Sequence, residues 1–228
     1  MPAKFQNLRA VVLRRTNFGE ADRILSLITP SGQVSALARG ARRAKSKLAG
    51  AIELLCLSDI VLVGNGNSSI RTISSASLSK QWEAIVKDYD RLIFAYEVLR
   101  QIERASREID GGEWFNITVE VLSALDLSHV DFELIQAWFY LRLSAELGEP
   151  LNLQTDINGQ KIALNQNYQY DVDDKGLNRY DDGSLTTNHI KLLRLMASGG
   201  IQLCTKVTDL HKLTHEVLSV CREHASLT

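Results

Sequence analysis

The chain has 228 residues, of which 45% are apolar and 23% are charged, and its formal net charge is -1 at pH 7, as is ordinary for a folded globular protein. Its three cysteines (Cys56, Cys204 and Cys221) form no C-x-x-C pair, which excludes a disulfide scaffold and argues against a thiolate zinc site. No apolar run is long enough to cross a membrane, and the N-terminus lacks the apolar segment of a secretory signal. We therefore expect a cytoplasmic protein with no membrane partner.

The small net charge conceals an asymmetry between the two parts of the chain. Residues 1–80 contain 12 Lys and Arg against 4 Asp and Glu, whereas residues 81–228 contain 14 against 23. A basic part joined to an acidic part is typical of a module for a polyanion linked to a module with another role. The alternative is that two domains differ in charge without any polyanionic partner.

Branched apolar residues and turn residues follow one another along the first eighty residues and predict strands. Five are expected, at residues 8–15, 23–29, 33–39, 54–63 and 69–77. Five short strands joined mostly by tight turns are typical of a small closed barrel or a sandwich.

The apolar spacing becomes helical after residue 80. Helices are expected at residues 81–109, 114–127, 132–147, 188–196 and 207–221. In the first of these, one buried face is predicted, formed by Trp82, Ile85, Val86, Tyr89, Leu92, Ile93, Tyr96, Leu99 and Ile102. The third helix is apolar nearly all round, which is typical of the centre of a helical core. Residues 151–185 are rich in Asn, Asp, Gln and Gly and predict an irregular excursion with small hairpins.

The densest charged feature is the run RGARRAKSK at residues 39–47, the basic segment. Its five cations are Arg39, Arg42, Arg43, Lys45 and Lys47, and no acidic residue occurs from residue 24 to residue 52. Each phosphate that such a cluster neutralises releases counterions, so the segment predicts sequence-independent binding of nucleic acid. The alternative is a solvated, mobile loop.

Three further cations on the neighbouring predicted strands, Arg14, Arg15 and Arg23, are expected to extend this DNA-binding site. Only two aromatic residues, Phe5 and Phe18, occur in the first eighty residues, whereas surfaces that stack single-stranded bases normally use several rings. We therefore expect contacts to phosphates with little reading of the bases.

Motifs for enzymatic chemistry are scarce. The sequence contains no G-x-G-x-x-G, no Walker-type loop, no G-x-S-x-G and no H-E-x-x-H, so we expect no enzymatic activity, no cofactor and no metal. His211 and His215 lie one helical turn apart, a spacing that metal ligands use, which leaves a metal-dependent hydrolase as a third hypothesis. The plainer interpretation is that both are solvated polar residues of the last helix.

A cation on the apolar third helix suggests a second binding site. Arg142 lies near Trp138 and Phe139, and a guanidinium among apolar side chains is suited to hold the carboxylate of a partner peptide. Two alternatives remain open: Arg142 forms an ion pair with Glu146 one turn away, or it extends to the solvent.

Several of these runs occur together in one known family. GEADRILSLIT from residue 19 and ARGARRAKSKL from residue 38 resemble the start of the bacterial DNA repair protein RecO family, and FYLRLSAELG from residue 139 continues the resemblance. The similarity covers about residues 5–150 and fades afterwards.

The resemblance implies a two-domain α+β fold. An N-terminal five-stranded OB-fold barrel over residues 1–79 would bind DNA, and a C-terminal helical domain would occupy residues 80–228. Members of this family are recombination mediators without catalytic turnover. They bind single- and double-stranded DNA, anneal complementary strands, contact the C-terminal tail of single-strand-binding protein, and act with RecR to load RecA at the nucleoid.

One family feature is missing from this sequence. Many members carry a four-cysteine zinc module in the region that corresponds to residues 151–185, and the first cysteine pair corresponds here to Asp156 and Gly159. The resemblance therefore implies a degenerate module without metal. The runner-up hypothesis for the whole chain is an OB-fold adaptor whose basic face binds structured RNA or an acidic protein.

Overall fold

The computed structural model describes residues 4–64, 70–109, 111, 113–163 and 165–227. The chain divides into two units, Met1–Asp126 and Leu127–Thr228. The first unit contains a barrel and two helices, and the second contains four helices and a hairpin among its described residues. The change from strands to helices that suggested a domain boundary near residue 79 therefore falls within the first unit.

The first unit begins with five strands, each at or close to its predicted position. They are β1 (Lys4–Phe18), β2 (Asp22–Thr29), β3 (Gly32–Ala38), β4 (Cys56–Gly64) and β5 (Arg71–Gln81). They close into a barrel in the order β1-β2-β3-β5-β4, in which all neighbours are antiparallel except β3 and β5. This is an OB-fold barrel followed by helices, so the predicted α+β class is confirmed. The turn predicted after β4, at residues 65–67, lies outside the described residues.

Small and branched apolar side chains fill the barrel. The cluster comprises Ala10, Val12, Leu25, Leu27, Ala36, Ala38, Ala41, Ile52, Ile60, Leu62 and Ile73. Two of its members, Ala41 and Ile52, come from the connection between β3 and β4 rather than from a strand. That connection is therefore anchored in the core near both of its ends, and most cations of the basic segment lie between these two anchors.

Two helices complete the first unit, α1 (Tyr89–Glu108) and α2 (Trp114–Leu125). The prediction that one helix begins at residue 81 is wrong, because β5 extends to Gln81 through pairing with Cys56. The Asp88 carboxylate caps α1 by accepting the Arg91 N–H at 3.1 Å, and the helix therefore begins at the next residue, Tyr89.

The buried face predicted for residues 81–109 is confirmed only in part. Four of its positions are buried: Trp82, Ile85, Leu99 and Ile102. Four others are between 43% and 76% exposed: Val86, Tyr89, Ile93 and Tyr96. The helix α1 packs against β1 and β3 and also buries Phe94 and Val98, which the prediction left out. The apolar spacing thus predicted the helix but only part of its buried face, because two apolar stripes run side by side along it.

The second unit is built around α3 (Phe132–Glu146), which is buried on nearly all sides as predicted. Against it pack α4 (Thr187–Ser198), the short α5 (Ile201–Cys204) and α6 (Thr214–Ser226). The helix predicted from residue 207 begins instead at Thr214. Asp209 has a left-handed backbone conformation (φ 55°), which an α-helix cannot contain, and a short 3-10 turn follows it.

The irregular excursion between α3 and α4 contains one hairpin, formed by β6 (Tyr168–Asp171) and β7 (Gly176–Arg179). A tight turn precedes it at residues 156–160. The buried Asp156 carboxylate accepts the N–H groups of Asn158 at 2.9 Å and Gln160 at 2.8 Å, and the Gly159 N–H donates to the Asp156 carbonyl at 3.0 Å. Gly159 has φ 76°, a conformation that favours glycine.

These two positions do not fit a zinc ion. The Asp156 carboxylate oxygen is occupied by backbone donors, and Gly159 offers no side-chain ligand. Within the described residues there is no group of three or more His, Cys, Asp or Glu side chains placed to hold a metal ion.

We predict that the Asp156 turn stabilises the second unit without a metal. The Asp156→Ala variant should lose about 1–3 kcal/mol of unfolding free energy in urea denaturation, because the N–H groups of Asn158 and Gln160 lose their charged acceptor. Asp174→Ala, which changes an exposed carboxylate of the hairpin turn, is the matched control and should unfold like the parent. Stoichiometric zinc in elemental analysis, together with a melting temperature lowered by chelator, would contradict the prediction.

Candidate nucleic-acid interface

Hydrogen bonds tie the start of the basic segment to the turn between β1 and β2. The Gly40 N–H donates to Asp22 Oδ1 at 2.7 Å, and the Arg42 N–H donates to the Ala21 carbonyl at 2.9 Å. Gly40 has φ 62°, so the chain makes a left-handed bend there that a side chain would strain. The two sequence runs that carry the family resemblance are therefore in direct contact.

One buried and one partly buried residue lie on either side of four of the five cations. Ala41 lies in the barrel core, and Leu48 packs against the same core. Between them the backbone makes two consecutive turns, in which the Arg43 N–H donates to the Gly40 carbonyl at 3.1 Å and the Ser46 N–H donates to the Arg43 carbonyl at 2.9 Å. The cations project from a loop that is held at both ends.

All five cations of the basic segment are exposed: Arg39, Arg42, Arg43, Lys45 and Lys47. None of them forms an ion pair with any described residue. Arg42 Nη1 donates to the Gly19 carbonyl at 3.4 Å, a contact with a neutral group that leaves the charge in place. Positive charge of this density, not neutralised within the described chain, attracts a polyanion from solution.

The three strand arginines are placed differently, because each has a carboxylate partner. Arg15 and Arg23 both donate to Glu53, and the Arg23 contact measures 3.0 Å. Their side chains are only 26% and 22% exposed, and burial together with the nearby Arg23 lowers the pKa of Arg15. This ion-pair triad joins β1 and β2 to the chain that enters β4, so part of its charge serves the fold.

Arg14 is more exposed than its two neighbours, and it also has a partner. Its Nε donates to Glu103 Oε1 on α1 at 2.7 Å, and its Nη1 donates to Thr16 Oγ1 at 3.1 Å. Sequence patterns did not reveal Glu53 or Glu103 as partners of the strand arginines, since those arginines lie at least thirty residues away and only the folded barrel brings them together.

The proposed peptide site on α3 has its own internal contacts. Arg142 Nη1 donates to the Ala197 carbonyl at 3.1 Å, Nη2 lies 3.7 Å from Glu146, and the guanidinium carbon lies 5.8 Å from the ring centre of Trp138. The Arg142 Nε–H has no hydrogen-bond partner among the described residues. Phe139 is fully buried and offers no surface to a ligand. The ion pair with Glu146, one of the two alternatives, is present.

The histidines behind the hydrolase hypothesis lie in ordinary surroundings. His211 falls in the 3-10 turn before α6, and His215 lies on α6 itself. His215 Nδ1 lies 3.1 Å from Glu133 Oε1, and this hydrogen bond raises the pKa of His215. No third ligand group joins them in the described part of the chain.

Comparison with known proteins assigns the barrel to a family. Residues 3–82 match the family described as the recombination protein O N-terminal domain. The barrel is therefore similar to the N-terminal domain of the RecO family. The match covers all five barrel strands and the whole basic segment.

Three relatives illustrate the extent of the similarity. The DNA repair protein RecO of Roseiflexus sp. is 35% identical over 118 residues, which is 51% of this chain and 41% of that protein. The protein of the same name from Dehalococcoides mccartyi is 28% identical over 226 residues, covering 92% of this chain and 84% of the relative. The one from Anaeromyxobacter dehalogenans is 34% identical over 123 residues, covering 52% and 48%. The similarity to two of these relatives thus spans less than half of their length.

The names of these relatives associate them with DNA repair, and the family that matches the barrel is named for recombination. None of the helices in the described part of the chain is long and apolar enough to span a membrane.

We predict that the Asp22 carboxylate orders the basic segment. Asp22→Ala should speed hydrogen exchange of the Gly40 amide and lower the unfolding free energy by about 1.5–3 kcal/mol, since a bond to a charged acceptor is lost. Glu20→Ala removes the same charge from the same turn but breaks no contact to Gly40, and it should leave both quantities unchanged. Equal exchange rates at Gly40 in the two variants would contradict an anchoring role.

Proposed function

We propose that this chain binds DNA through the basic segment and acts as a recombination mediator. The observation that carries the proposal is the arrangement of five exposed, unpaired cations on a loop of an OB-fold barrel that is fixed by Asp22, Ala41 and Leu48. Phosphates are the common feature of all DNA sequences, so affinity of this origin carries no sequence preference.

The proposed mechanism is electrostatic. Cations on a held loop neutralise phosphates of two complementary strands at once, which lowers the repulsion between the strands and permits pairing. No bond is made or broken, so the protein acts without catalytic turnover and needs no cofactor. The exposed Phe5 and Phe18 are the only aromatic residues of the barrel strands, which favours phosphate contacts over base stacking.

The strand arginines take a secondary part in this proposal. Arg14 is 53% exposed and can turn donors to a phosphate while it keeps its bond to Glu103. Arg15 and Arg23 add charge behind the loop, but their shared Glu53 offsets half of it. We expect Arg15 and Arg23 to contribute to the positive electrostatic potential of the barrel more than to direct contacts with phosphates.

The family relationship supports a set of partners. We propose that the barrel of residues 1–79 engages single- and double-stranded DNA, and that the part of residues 80–228 that forms the second unit, Leu127–Thr228, serves protein partners. These are RecR and the C-terminal tail of single-strand-binding protein, with RecA loaded as the result, in the cytoplasm at the nucleoid. Residues 81–228 are acidic in balance, so a second extensive DNA face is not expected there.

The decisive prediction concerns the salt dependence of DNA binding. Replacing Arg42, Arg43 and Lys45 by Ala should flatten the log–log salt slope for single-stranded DNA by about two units, since each phosphate contact contributes about 0.7. Melting should change little, because the three side chains are exposed. Annealing of complementary strands coated with single-strand-binding protein should fail in the same variant.

A charge-matched control separates contact from net charge. Replacing Lys161, Lys191 and Lys206 by Ala removes three exposed cations of the second unit and should leave the slope almost unchanged. If both triple variants bind and anneal like the parent, DNA binding does not use the basic segment. A strong preference of the parent for structured RNA over DNA would instead favour the adaptor hypothesis.

A separate prediction tests the peptide site at Arg142. Arg142→Ala should weaken the binding of an acidic peptide with an apolar C-terminus by about 1–3 kcal/mol, as for a charge-assisted bond lost at an interface. Isothermal titration with such a peptide measures the change. Arg222→Ala, which removes an exposed arginine of α6, is the control; weakening by that variant instead would place the peptide on α6.

A further inference from the structure

An open cleft of about 510 Å³ lies on the outside of the barrel, beside the end of α1. Six polar residues contribute to its lining: Arg14, Ser26, Gln33, Ser35, Ser106 and Arg107. They supply two guanidiniums, three hydroxyls and an amide, which are all groups that bind oxyanions. Every residue of the lining belongs to the first unit, and the cleft lies on the β2–β3 face that OB folds use for ligands.

The strand register explains why polar side chains line up there. Arg14 lies opposite Ser26, and Ser26 lies opposite Ser35, so the three form a row across β1, β2 and β3. Directly opposed residues share a face of the sheet. An irregularity between Val12 and Arg14 shifts the register, so that Arg14 rather than Leu13 lies across from Ser26.

One carboxylate holds both arginines of the cleft. Glu103 Oε1 accepts Arg14 Nε at 2.7 Å and also accepts Arg107 Nη2 from one turn further along α1. The Glu103 side chain is 12% exposed, whereas both arginines are 53% exposed. A guanidinium carries five N–H donors, so the cluster keeps a charge of +1 and unused donors that face the solvent.

The hydroxyl side of the cleft is also fixed in place. The Gln33 amide lies between two serines: its Nε2 donates to Ser26 Oγ at 2.5 Å, and its Oε1 lies 3.0 Å from Ser106 Oγ. Ser106 is buried and also contacts the Ile102 carbonyl at 2.6 Å. Because these groups are already ordered, binding of an anion would cost little side-chain entropy.

We propose that this cleft is a phosphate subsite for a nucleic-acid strand that continues from the basic segment. The inference rests on the proposed DNA-binding function and adds a second contact point to it. Ser35 lies in β3 and Arg39 directly follows the last residue of that strand, so the two are four residues apart, which corresponds to about 13 Å at 3.3 Å per residue. One strand of a B-form duplex, at 3.4 Å per nucleotide, would cover that distance with about four nucleotides, and a more extended single strand would need fewer. Arg107 and Arg14 hold the phosphate, and Glu103 positions both guanidiniums.

The test measures binding of a labelled single-stranded oligothymidylate to the full chain over a range of salt concentrations. Arg107→Ala should reduce the log–log salt slope by about 0.7 and weaken binding at low salt. Arg104→Ala removes an exposed arginine of the same helix that does not line the cleft, and it should leave the slope unchanged. Equal slopes for Arg107→Ala, Arg104→Ala and the parent would overturn the proposal.

A second variant tests the opposite direction. Glu103→Gln removes the negative charge but keeps an oxygen acceptor for the arginines, so the oligonucleotide should bind about fivefold tighter at low salt, as expected for one unit charge a few ångströms from a phosphate in water. Unchanged or weaker binding would contradict a phosphate in contact with this cluster. The melting temperature of each variant shows whether any effect comes from a change in folding.

The inference and the proposed function fail in different ways. If the Arg42, Arg43 and Lys45 variant loses DNA binding while the Arg107 and Glu103 variants match the parent, the function stands and the subsite is refuted. If the parent binds no DNA, titration with inorganic phosphate decides the matter. If phosphate shifts the amide resonances of Ser106 and Arg107 in the parent, and the Ser106 shift is lost in Arg107→Ala, the subsite is supported. If phosphate causes no such shifts in the parent, the subsite is refuted.

Discussion

Repulsion among like charges is the constraint that the barrel has to overcome. Five cations within nine residues repel one another and would spread a free loop into the solvent. The loop stays compact because a carboxylate of the β1–β2 turn holds the Gly40 amide and because Ala41 and Leu48 enter the core on either side. Burial of those apolar groups stabilises the ends of the loop, while its middle stays charged and accessible. The free energy gained by packing Ala41 and Leu48 on the barrel core therefore offsets the repulsion among the cations of the loop.

The barrel uses its arginines in two distinct ways. Arg15 with Arg23, and Arg14 with Arg107, form two pairs in which both guanidiniums share one carboxylate. Each pair keeps a net charge of +1 and a fixed geometry. The cations of the basic segment have no such partner among the described residues and keep their side-chain freedom. The fixed pairs are suited to define where a strand passes, and the free cations are suited to attract it at a distance.

Local patterns predicted the strands well, because turn residues and branched apolar residues act within a few positions of one another. The basic segment was also visible, since its charges are adjacent in sequence. The bonds of Glu53 and Glu103 to the strand arginines were not visible, because an ion pair across thirty or more residues depends on the register of the folded barrel. Part of the buried face of α1 and the late start of α6 were missed for the same kind of reason. Packing against β1 and β3 buried Phe94 and Val98 beside the predicted Leu99 and Ile102, and the backbone of Asp209 interrupted a sequence with helical spacing.

The turn at Asp156 bears on the chemistry that the second unit can withstand. A turn closed by thiolates and a metal ion is sensitive to oxidation, because thiolates are oxidised to sulfenic and higher acids and then release the metal ion. A carboxylate that accepts backbone N–H groups has no such pathway. The three cysteines of the chain are all buried, away from dissolved oxidants. The part of the excursion that Asp156 holds can therefore keep its shape under peroxide stress, the same condition that breaks DNA strands and calls for their repair.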